Sequence, residues 1–221
     1  MPLVVVMALI LLSGCAGVLP SAPEQPTSTF VLDPDLPATA KPGAGPTVLV
    51  SPPDDAPGYA TPRMAYLSER DPVYYYAYHE WVDTPGAMLA PVLAAALRGS
   101  GRFAGVVDDP RAAVPDLRLD VRVDHLHQDF RHQPSIGSVA LTVRAVDLAQ
   151  GSLLATRTFQ AAEPDPSDDA YGGVVAVNRA LSRLLPDVAA FAASQAKRVR
   201  PIPGEPQPGQ PRAPTPQQGG T

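Results

Sequence analysis

The chain has 221 residues, a formal net charge of −5 and a single cysteine. This length suits one domain of ordinary size with tails, and the mild acidic balance without a basic cluster argues against nucleic acid as a partner. One cysteine excludes an intramolecular disulfide. The 28 prolines mark the segments that we expect to lie outside regular structure.

Residues 1–14 are predicted to be a lipoprotein signal peptide. The ten-residue apolar run Leu3–Leu12 is too short to span a hydrocarbon core about 30 Å thick, and it matches the apolar region of a secretory signal. The tetrapeptide LSGC at residues 12–15 matches a bacterial lipobox, in which cleavage follows Gly14 and the thiol of Cys15 carries the lipid. The region before the apolar run has no Lys or Arg, whereas such a signal usually begins with positively charged residues.

Residues 15–29 are predicted to be the lipidated Cys15 and a flexible tether. The segment contains three prolines and no apolar periodicity, and fourteen extended residues reach at most about 45–50 Å. Ala16 follows the lipid-bearing cysteine, and by analogy with lipoprotein sorting in Gram-negative bacteria this residue indicates the outer membrane. We therefore expect an outer-membrane protein that faces the periplasm.

Short apolar runs bounded by turn residues predict three strands in the N-terminal half, at residues 30–32, 47–50 and 64–67, with a loop over residues 54–62. A fourth strand is predicted over residues 72–81, the most aromatic segment of the chain. Period-two alternation would place Tyr76 on one face of this strand and Trp81 on the other. Two interpretations remain open for this strand: core packing, or an interface or ligand wall of the kind that Tyr and Trp favour.

A helix is predicted over residues 84–98, with Thr84 as its N-cap and Pro91 as an interior residue that should kink its axis. Leucines and other apolar residues form one face of this helix. The opposite face carries alanines in place of charges, including Ala87, Ala90 and Ala94. This face is either a contact with another subunit or a poorly solvated alanine surface.

The C-terminal half predicts a short strand at 103–107, three strands that form a meander at 116–124, 139–145 and 153–159, and an amphipathic helix over 168–196. The first strand of the meander alternates apolar and charged residues, which is typical of an antiparallel sheet with one solvent-exposed face. A loop is expected over residues 161–167. Residues 198–221 are rich in Pro and Gly and are predicted to be disordered.

Sequence motifs that indicate a catalytic or metal-binding site are scarce. The sequence has no nucleophile elbow, phosphate-binding loop, C-x-x-C or H-E-x-x-H. His125 and His127 would share a strand face that His132 or Asp129 could join, but two histidines at the end of a polar strand are usually surface residues. The acidic pairs at residues 54–55, 108–109 and 168–169 should cap or solvate turns and a helix start. We predict no metal, no cofactor and no enzymatic activity.

The order of these features resembles the ABC-type transport auxiliary lipoprotein family over roughly residues 30 to 195. The resemblance lies in a lipobox, a Phe-x-Leu strand, TVLV at 47–50, RMAY at 63–66, Tyr76-x(4)-Trp81, Thr84-Pro85, a Leu-rich helix and GRFAGV at 101–106. The chain departs from the family pattern at Glu80, where a basic residue is frequent, and at Pro91.

The resemblance implies a single α/β (α+β) domain over residues 30–197, with a mixed or mainly antiparallel sheet and two helices packed on one face. It also implies a non-enzymatic docking module that serves a mammalian-cell-entry-type substrate-binding protein, an ABC permease and an ATPase in lipid transport. On the same analogy homo-oligomeric rings are expected, and they would account for the alanine face of the first helix. The alternative is a structural or assembly lipoprotein of the envelope that binds peptidoglycan or an outer-membrane protein complex.

Overall fold

A computed structural model describes residues 25–70 and 72–199. Within these residues the chain forms nine strands and two helices, in this order: β1 Ser28–Phe30, β2 Thr47–Val50, β3 Asp54–Asp55, β4 Arg63–Leu67, β5 Tyr74–Trp81, α1 Pro85–Gly99, β6 Gly105–Val107, β7 Leu117–Asp129, β8 Ile136–Asp147, β9 Ser152–Pro164 and α2 Ala170–Ala196. Over this part of the chain, neither helix has the length and apolar character that a membrane crossing requires.

The sheet is organised around β7. On one side β7 pairs antiparallel with β8, which pairs antiparallel with β9. On its other side β7 pairs in succession with three short parallel strands, β2, β3 and β4. Strand β6 lies parallel beside β2, β5 lies antiparallel beside β4, and β1 lies parallel beside β5. The predicted mixed sheet is confirmed, as is the meander of the last three strands.

The alternation predicted for β7 determines which of its residues enter the core. Leu117, Leu119, Val121 and Val123 are 0–3% exposed and face the helices, whereas the intervening Asp and Arg side chains form the opposite face of the sheet. A β-bulge at Asp124 shifts the register by one residue, so that Leu126 takes over the buried face. Because a bulge inverts the alternation beyond it, His125 and His127 lie on the face away from the helices.

Helix α2 covers β7, β8 and β9 with an apolar stripe of fully buried residues, which includes Leu181 and Leu185. Asp169 is its N-cap, since its carboxylate accepts the Gly172 amide at 2.7 Å. The helix approaches β8 closely at Gly137, where a Cβ atom would lie 2.6 Å from the backbone nitrogen of Val177. The strand therefore needs a residue without a side chain at this crossing.

Helix α1 packs beside α2 against β2, β3, β6 and β7, which confirms two helices on one face of the sheet. The predicted cap is confirmed, because Thr84 Oγ1 accepts the Ala87 amide at 3.4 Å. Asp55 Oδ1 adds a second bond, from the Gly86 amide at 2.8 Å. The acidic side chain of a segment that was predicted as a loop therefore stabilises the positive end of this helix.

Several boundaries differ from the prediction. Strand β1 is Ser28–Phe30, whereas the tether was predicted to extend to residue 29 and the strand to cover residues 30–32. Strand β6 is shorter and strand β8 is longer than predicted. Residues 54–55 are a strand and not a loop, because β7 extends past them and offers a parallel edge. Strand β7 continues to Asp129 and β9 to Pro164, so most of the loop predicted over 161–167 is strand. Charged and polar residues at these strand ends hide the alternation from the sequence, whereas the long antiparallel partners supply the hydrogen bonds.

Candidate functional site

The residues predicted for lipidation, Gly14 and Cys15, lie outside the described residues, as do the tether up to residue 24 and the tail from residue 200. The anchor stays a prediction from the sequence. The described chain begins at Gln25, just before β1, so the tether joins the domain at the end of the sheet formed by β1 and β5.

Strand β5 places its two candidate interface residues on the core side of the sheet. Trp81 is 3% exposed and belongs to the hydrophobic core, so its ring cannot touch a partner of the folded domain. Tyr76 is partly buried and donates its hydroxyl proton to Oε1 of Gln128 at 2.6 Å. An irregularity in the pairing of β4 with β5 brings Tyr76 and Trp81 to the same face, where simple alternation over 72–81 would separate them.

An aromatic cluster surrounds Tyr76. The ring of Tyr66 lies 4.9 Å from that of Tyr76 and 5.5 Å from that of Tyr74, measured between centroids, and Phe130 contacts Tyr66 edge to face at 5.8 Å. Burial raises the pKa of the Tyr76 hydroxyl well above its usual value of 10, and the nearby Asp165 acts in the same direction. This tyrosine is therefore a neutral hydrogen-bond donor at physiological pH.

The alanine face of α1 divides between core and surface. Ala94 is 3% exposed and packs inside the domain, so it is not available to a partner. Ala87 and Pro91 are exposed, and Ala90 is partly exposed. The exposed part of the predicted face is thus the first half of the helix, next to the end of β5.

Two valines form an exposed apolar pair close to the point where the tether joins the domain. Val31 is 55% exposed and Val82 is 61% exposed, and they directly follow Phe30 and Trp81, which are opposite each other in β1 and β5. The amide of Val82 donates to the carbonyl of Phe30 at 2.8 Å, which keeps the two chains side by side. The sequence offered no signal for this pair, because isolated valines beside turns are common.

The histidines of β7 make structural contacts on the sheet face away from the helices. The rings of His125 and His127 stack with centroids 4.6 Å apart. His125 Nε2 lies 3.0 Å from Ser138 Oγ, and His127 Nδ1 lies 2.8 Å from the hydroxyl of Tyr59, which belongs to the loop between β3 and β4. Among the described residues no group of three or more His, Cys, Asp or Glu side chains could hold a metal ion.

Burial favours the neutral form of both imidazoles. Burial lowers the pKa of His127 to about 4, and the neighbouring His125 acts in the same direction. Burial also lowers the pKa of His125. The same burial raises the pKa of Tyr59 to about 12. At neutral pH the His127–Tyr59 contact is therefore a hydrogen bond between neutral groups.

A second polar cluster, which the sequence did not reveal, lies where α2 begins. Gln128 Nε2 donates to Asp165 Oδ2 at 2.7 Å and approaches the carbonyl of Asp169 at 3.1 Å. Ser135 Oγ lies 2.5 Å from Asp165 Oδ2 and 2.7 Å from Asp168 Oδ1. Burial raises the pKa of Asp165, whereas the hydrogen bond from Ser135 lowers that of Asp168. A serine hydroxyl has one proton, so Ser135 can donate to only one of these two carboxyl groups at a time.

Comparison with known proteins assigns the chain to a family. The model for the ABC-type transport auxiliary lipoprotein component matches residues 30–189, which span almost the whole described domain. The chain therefore belongs to the ABC-type transport auxiliary lipoprotein family, as its order of motifs predicted. A search of curated protein sequences finds no match.

Solved structures share the fold. Protein XCC0632 from Xanthomonas campestris superposes with a TM-score of 0.68 at 20% identity, covering 77% of this chain and 98% of that protein. A second crystal structure, of an uncharacterized protein, gives a TM-score of 0.57 at 16% identity and covers 79% and 99% of the two chains. At these identities the similarity concerns the fold alone.

Proposed function

We propose that the protein is a lipid-anchored periplasmic component of a mammalian-cell-entry-type ABC transport system, in which it docks protein partners and does no chemistry. Membership of the ABC-type transport auxiliary lipoprotein family carries this proposal. The predicted lipobox at Cys15 and the residue after it favour attachment to the outer membrane. The cargo would be a lipid or another hydrophobic molecule, moved by a substrate-binding protein, a permease and an ATPase.

The perturbed titratable groups of the described domain support a docking role over an enzymatic one. His127 is bonded to Tyr59, Asp165 to Ser135 and Gln128, and Asp169 caps α2. Each of these side chains forms a hydrogen bond with a neighbouring segment of the fold. Their pKa shifts follow from that structural use, so a perturbed pKa here does not indicate a catalytic acid or base.

The exposed part of α1, with Ala87 and Ala90, is the docking surface that we propose for a transport partner. Small side chains let a partner helix or strand approach closely, and the lack of charge removes the cost of desolvating ions. The surface adjoins the end of β5, whose last residue, Trp81, is held in the core. A partner bound there would contact a rigid part of the domain.

Co-purification tests the proposal. Full-length tagged protein, extracted in detergent, should bring down a mammalian-cell-entry-type component together with its permease and ATPase. Ala87→Arg should reduce that recovery and leave the thermal melt unchanged, whereas Ala149→Arg, in the exposed turn between β8 and β9, should leave both unchanged. Recovery of peptidoglycan or outer-membrane barrel proteins alone would contradict the transport role and support an envelope assembly role.

A further inference from the structure

The end of the sheet formed by β1 and β5 carries an exposed apolar patch of Val31, Tyr78 and Val82. The two valines lie side by side, because the amide of Val82 donates to the carbonyl of Phe30 at 2.8 Å. Tyr78 is 47% exposed, and the alternation of a strand places it on the same face as Val82. Trp81 points to the opposite face and into the core. The patch therefore belongs to the side of the sheet that the helices leave uncovered.

The composition of the patch indicates a contact through apolar groups. Single exposed hydrophobic side chains are ordinary, whereas a group of them marks a contact surface. Three of the seven large hydrophobic side chains that the described residues expose lie here, so they are not scattered singly. Asp33 and Asp83 are exposed beside the two valines, and neither residues 25–35 nor residues 77–83 contain Lys or Arg. The patch thus has an apolar centre and an acidic rim.

The patch lies close to the predicted lipid anchor along the chain. The described domain begins at Gln25, three residues before β1, and residues 15–24 connect this point to Cys15. Ten residues span at most about 33–36 Å even when they are fully extended. Strand β9 forms the opposite edge of the sheet, five strand spacings from β1, which amounts to roughly 24 Å. Among the edges of the sheet, the one that carries the patch is therefore held near the bilayer.

A short tether makes a weak contact effective. Three partly exposed side chains would bind a bilayer only weakly from free solution, because membrane affinity scales with the apolar area that is buried. A second contact on a molecule that is already anchored is intramolecular, and its effective concentration is in the millimolar range for a short linker. Tyrosine suits such a site, because its ring is apolar and its hydroxyl can remain among the headgroups.

We propose that the patch of Val31, Tyr78 and Val82 contacts the surface of the bilayer that holds the lipid of Cys15. The valines enter the boundary between headgroups and acyl chains, and the acidic rim favours zwitterionic lipids because like charges repel anionic headgroups. The contact gives the domain one orientation at the membrane, which an anchor by itself does not define. This inference depends on the predicted anchor and not on the proposed transport role.

Fluorescence quenching in vesicles tests the orientation. Full-length lipidated protein is reconstituted in vesicles of phosphatidylcholine and phosphatidylethanolamine that contain a spin-labelled lipid as quencher. A fluorophore on Thr29→Cys reports on the patch, because Thr29 is exposed and precedes Val31 by two residues. Thr156→Cys is the matched control, an exposed threonine on β9 at the opposite edge. The thioether at Cys15 leaves the new thiol as the one that reacts, and quenching should be several-fold stronger at residue 29 than at residue 156.

Substitutions distinguish an apolar contact from mere proximity to the bilayer. Val82→Asp, combined with the label at residue 29, should lower the quenching to the level found at residue 156. Val114→Asp is the control, because Val114 is also 61% exposed but lies in the loop between β6 and β7. Replacement of part of the zwitterionic lipid by phosphatidylglycerol should weaken the quenching. Added salt should have little effect in zwitterionic vesicles, because the attraction is not electrostatic.

Four results would overturn the proposal. They are equal quenching at residues 29 and 156, quenching that does not respond to Val82→Asp, an equal response to Val114→Asp, and protein that does not float with the vesicles. A fluorophore at residue 29 that shifts to the blue without quenching by the labelled lipid would indicate a contact with protein, including a second copy of this chain. That result would also exclude the bilayer as the occupant of the patch.

Discussion

Tyr76 and Gln128 are joined by a 2.6 Å hydrogen bond from the tyrosine hydroxyl to the amide oxygen. The bond connects β5, near the tether, with β7, the central strand. The amide nitrogen of the same glutamine donates to Asp165 at 2.7 Å, next to the start of α2. One side chain thus links three parts of the fold that are distant in sequence.

Replacement of Gln128 by leucine should destabilise the domain. The change removes the acceptor of the Tyr76 hydroxyl and one of the two side-chain donors to Asp165, the other being Ser135. A polar group left unsatisfied in a buried position costs about 1–3 kcal/mol. We expect the free energy of unfolding in urea to fall by about 2–4 kcal/mol. Gln150→Leu, in the exposed turn after β8, is the control and should have almost no effect. Equal stability of the two variants would contradict the role of Gln128.

Acid should weaken the fold through His127. Its pKa is about 4 in the folded protein, against an ordinary value of 6.5, so the unfolded chain binds this proton more readily. The stabilising contribution is complete above pH 6.5 and is lost as the pH falls toward 4. It amounts to about 3 kcal/mol at most.

The measurement compares urea unfolding of the parent protein and of His127→Gln at several pH values. The amide can still bond with the Tyr59 hydroxyl but does not titrate, so the variant should lose less stability between pH 6.5 and 4. Asp165 acts in the opposite direction, because burial raises its pKa and its protonation favours the folded state at low pH. Since both proteins share Asp165, the difference between them isolates the histidine. Parallel curves would show that His127 is protonated equally in both states.

Leu181→Asp should unfold the domain. Leu181 is 0% exposed in the layer between α2 and the sheet, and a carboxylate there has no partner for its charge. We expect a loss of more than about 4 kcal/mol, which is a large part of the stability of a small domain. Arg179→Asp, two residues away on the exposed side of the same helix, should change the thermal melt little. A normal melt of Leu181→Asp would mean that α2 does not pack on the sheet.

Cys15→Ala tests the predicted anchor. Without the thiol no lipid can be attached, so the protein should leave the membrane pellet, either as soluble protein or as a precursor that retains residues 1–14. Separation of inner membrane, outer membrane and soluble fractions gives the answer by immunoblot, and Ser13→Ala provides a control that keeps the thiol and a small residue. Unchanged recovery of Cys15→Ala in the outer membrane would refute the lipobox.

Much of the fold could be predicted because the core residues obey simple periods. The alternation of Leu117 to Val123 and the helical spacing of Val174 to Phe191 each define one apolar face. The features that were missed depend on contacts distant in sequence. Strand β3 exists because β7 runs beside it, and Ala94 is buried because α1 packs against both the sheet and the neighbouring α2. A local pattern contains no information about such neighbours.

The candidate interface illustrates the same limit. Tyrosine and tryptophan are residue types that are enriched in binding sites. The irregular pairing of β4 and β5 nevertheless turns Tyr76 and Trp81 toward the core. The cluster of Gln128, Ser135 and Asp165 left no recognisable pattern in the sequence. Gln128 and Asp165 are 37 residues apart, and the three side chains meet only after β7, β8 and β9 have formed. Simple alternation also placed His125 and His127 together, and the structure keeps them together because the bulge precedes both.

The succession of β2, β3 and β4 along one edge of β7 has a consequence for the order of folding. These three strands precede β7 in the chain. Strands β2 and β4 have β6 and β5 as earlier neighbours, but the pairing of all three with β7 must wait until residues 117–129 are available. As the chain emerges, its N-terminal half must wait with exposed backbone groups and apolar runs. Contacts of such long sequence separation slow folding and prolong this exposed state. A holding chaperone would be needed most before β7 emerges and least once the β7–β8 hairpin has closed.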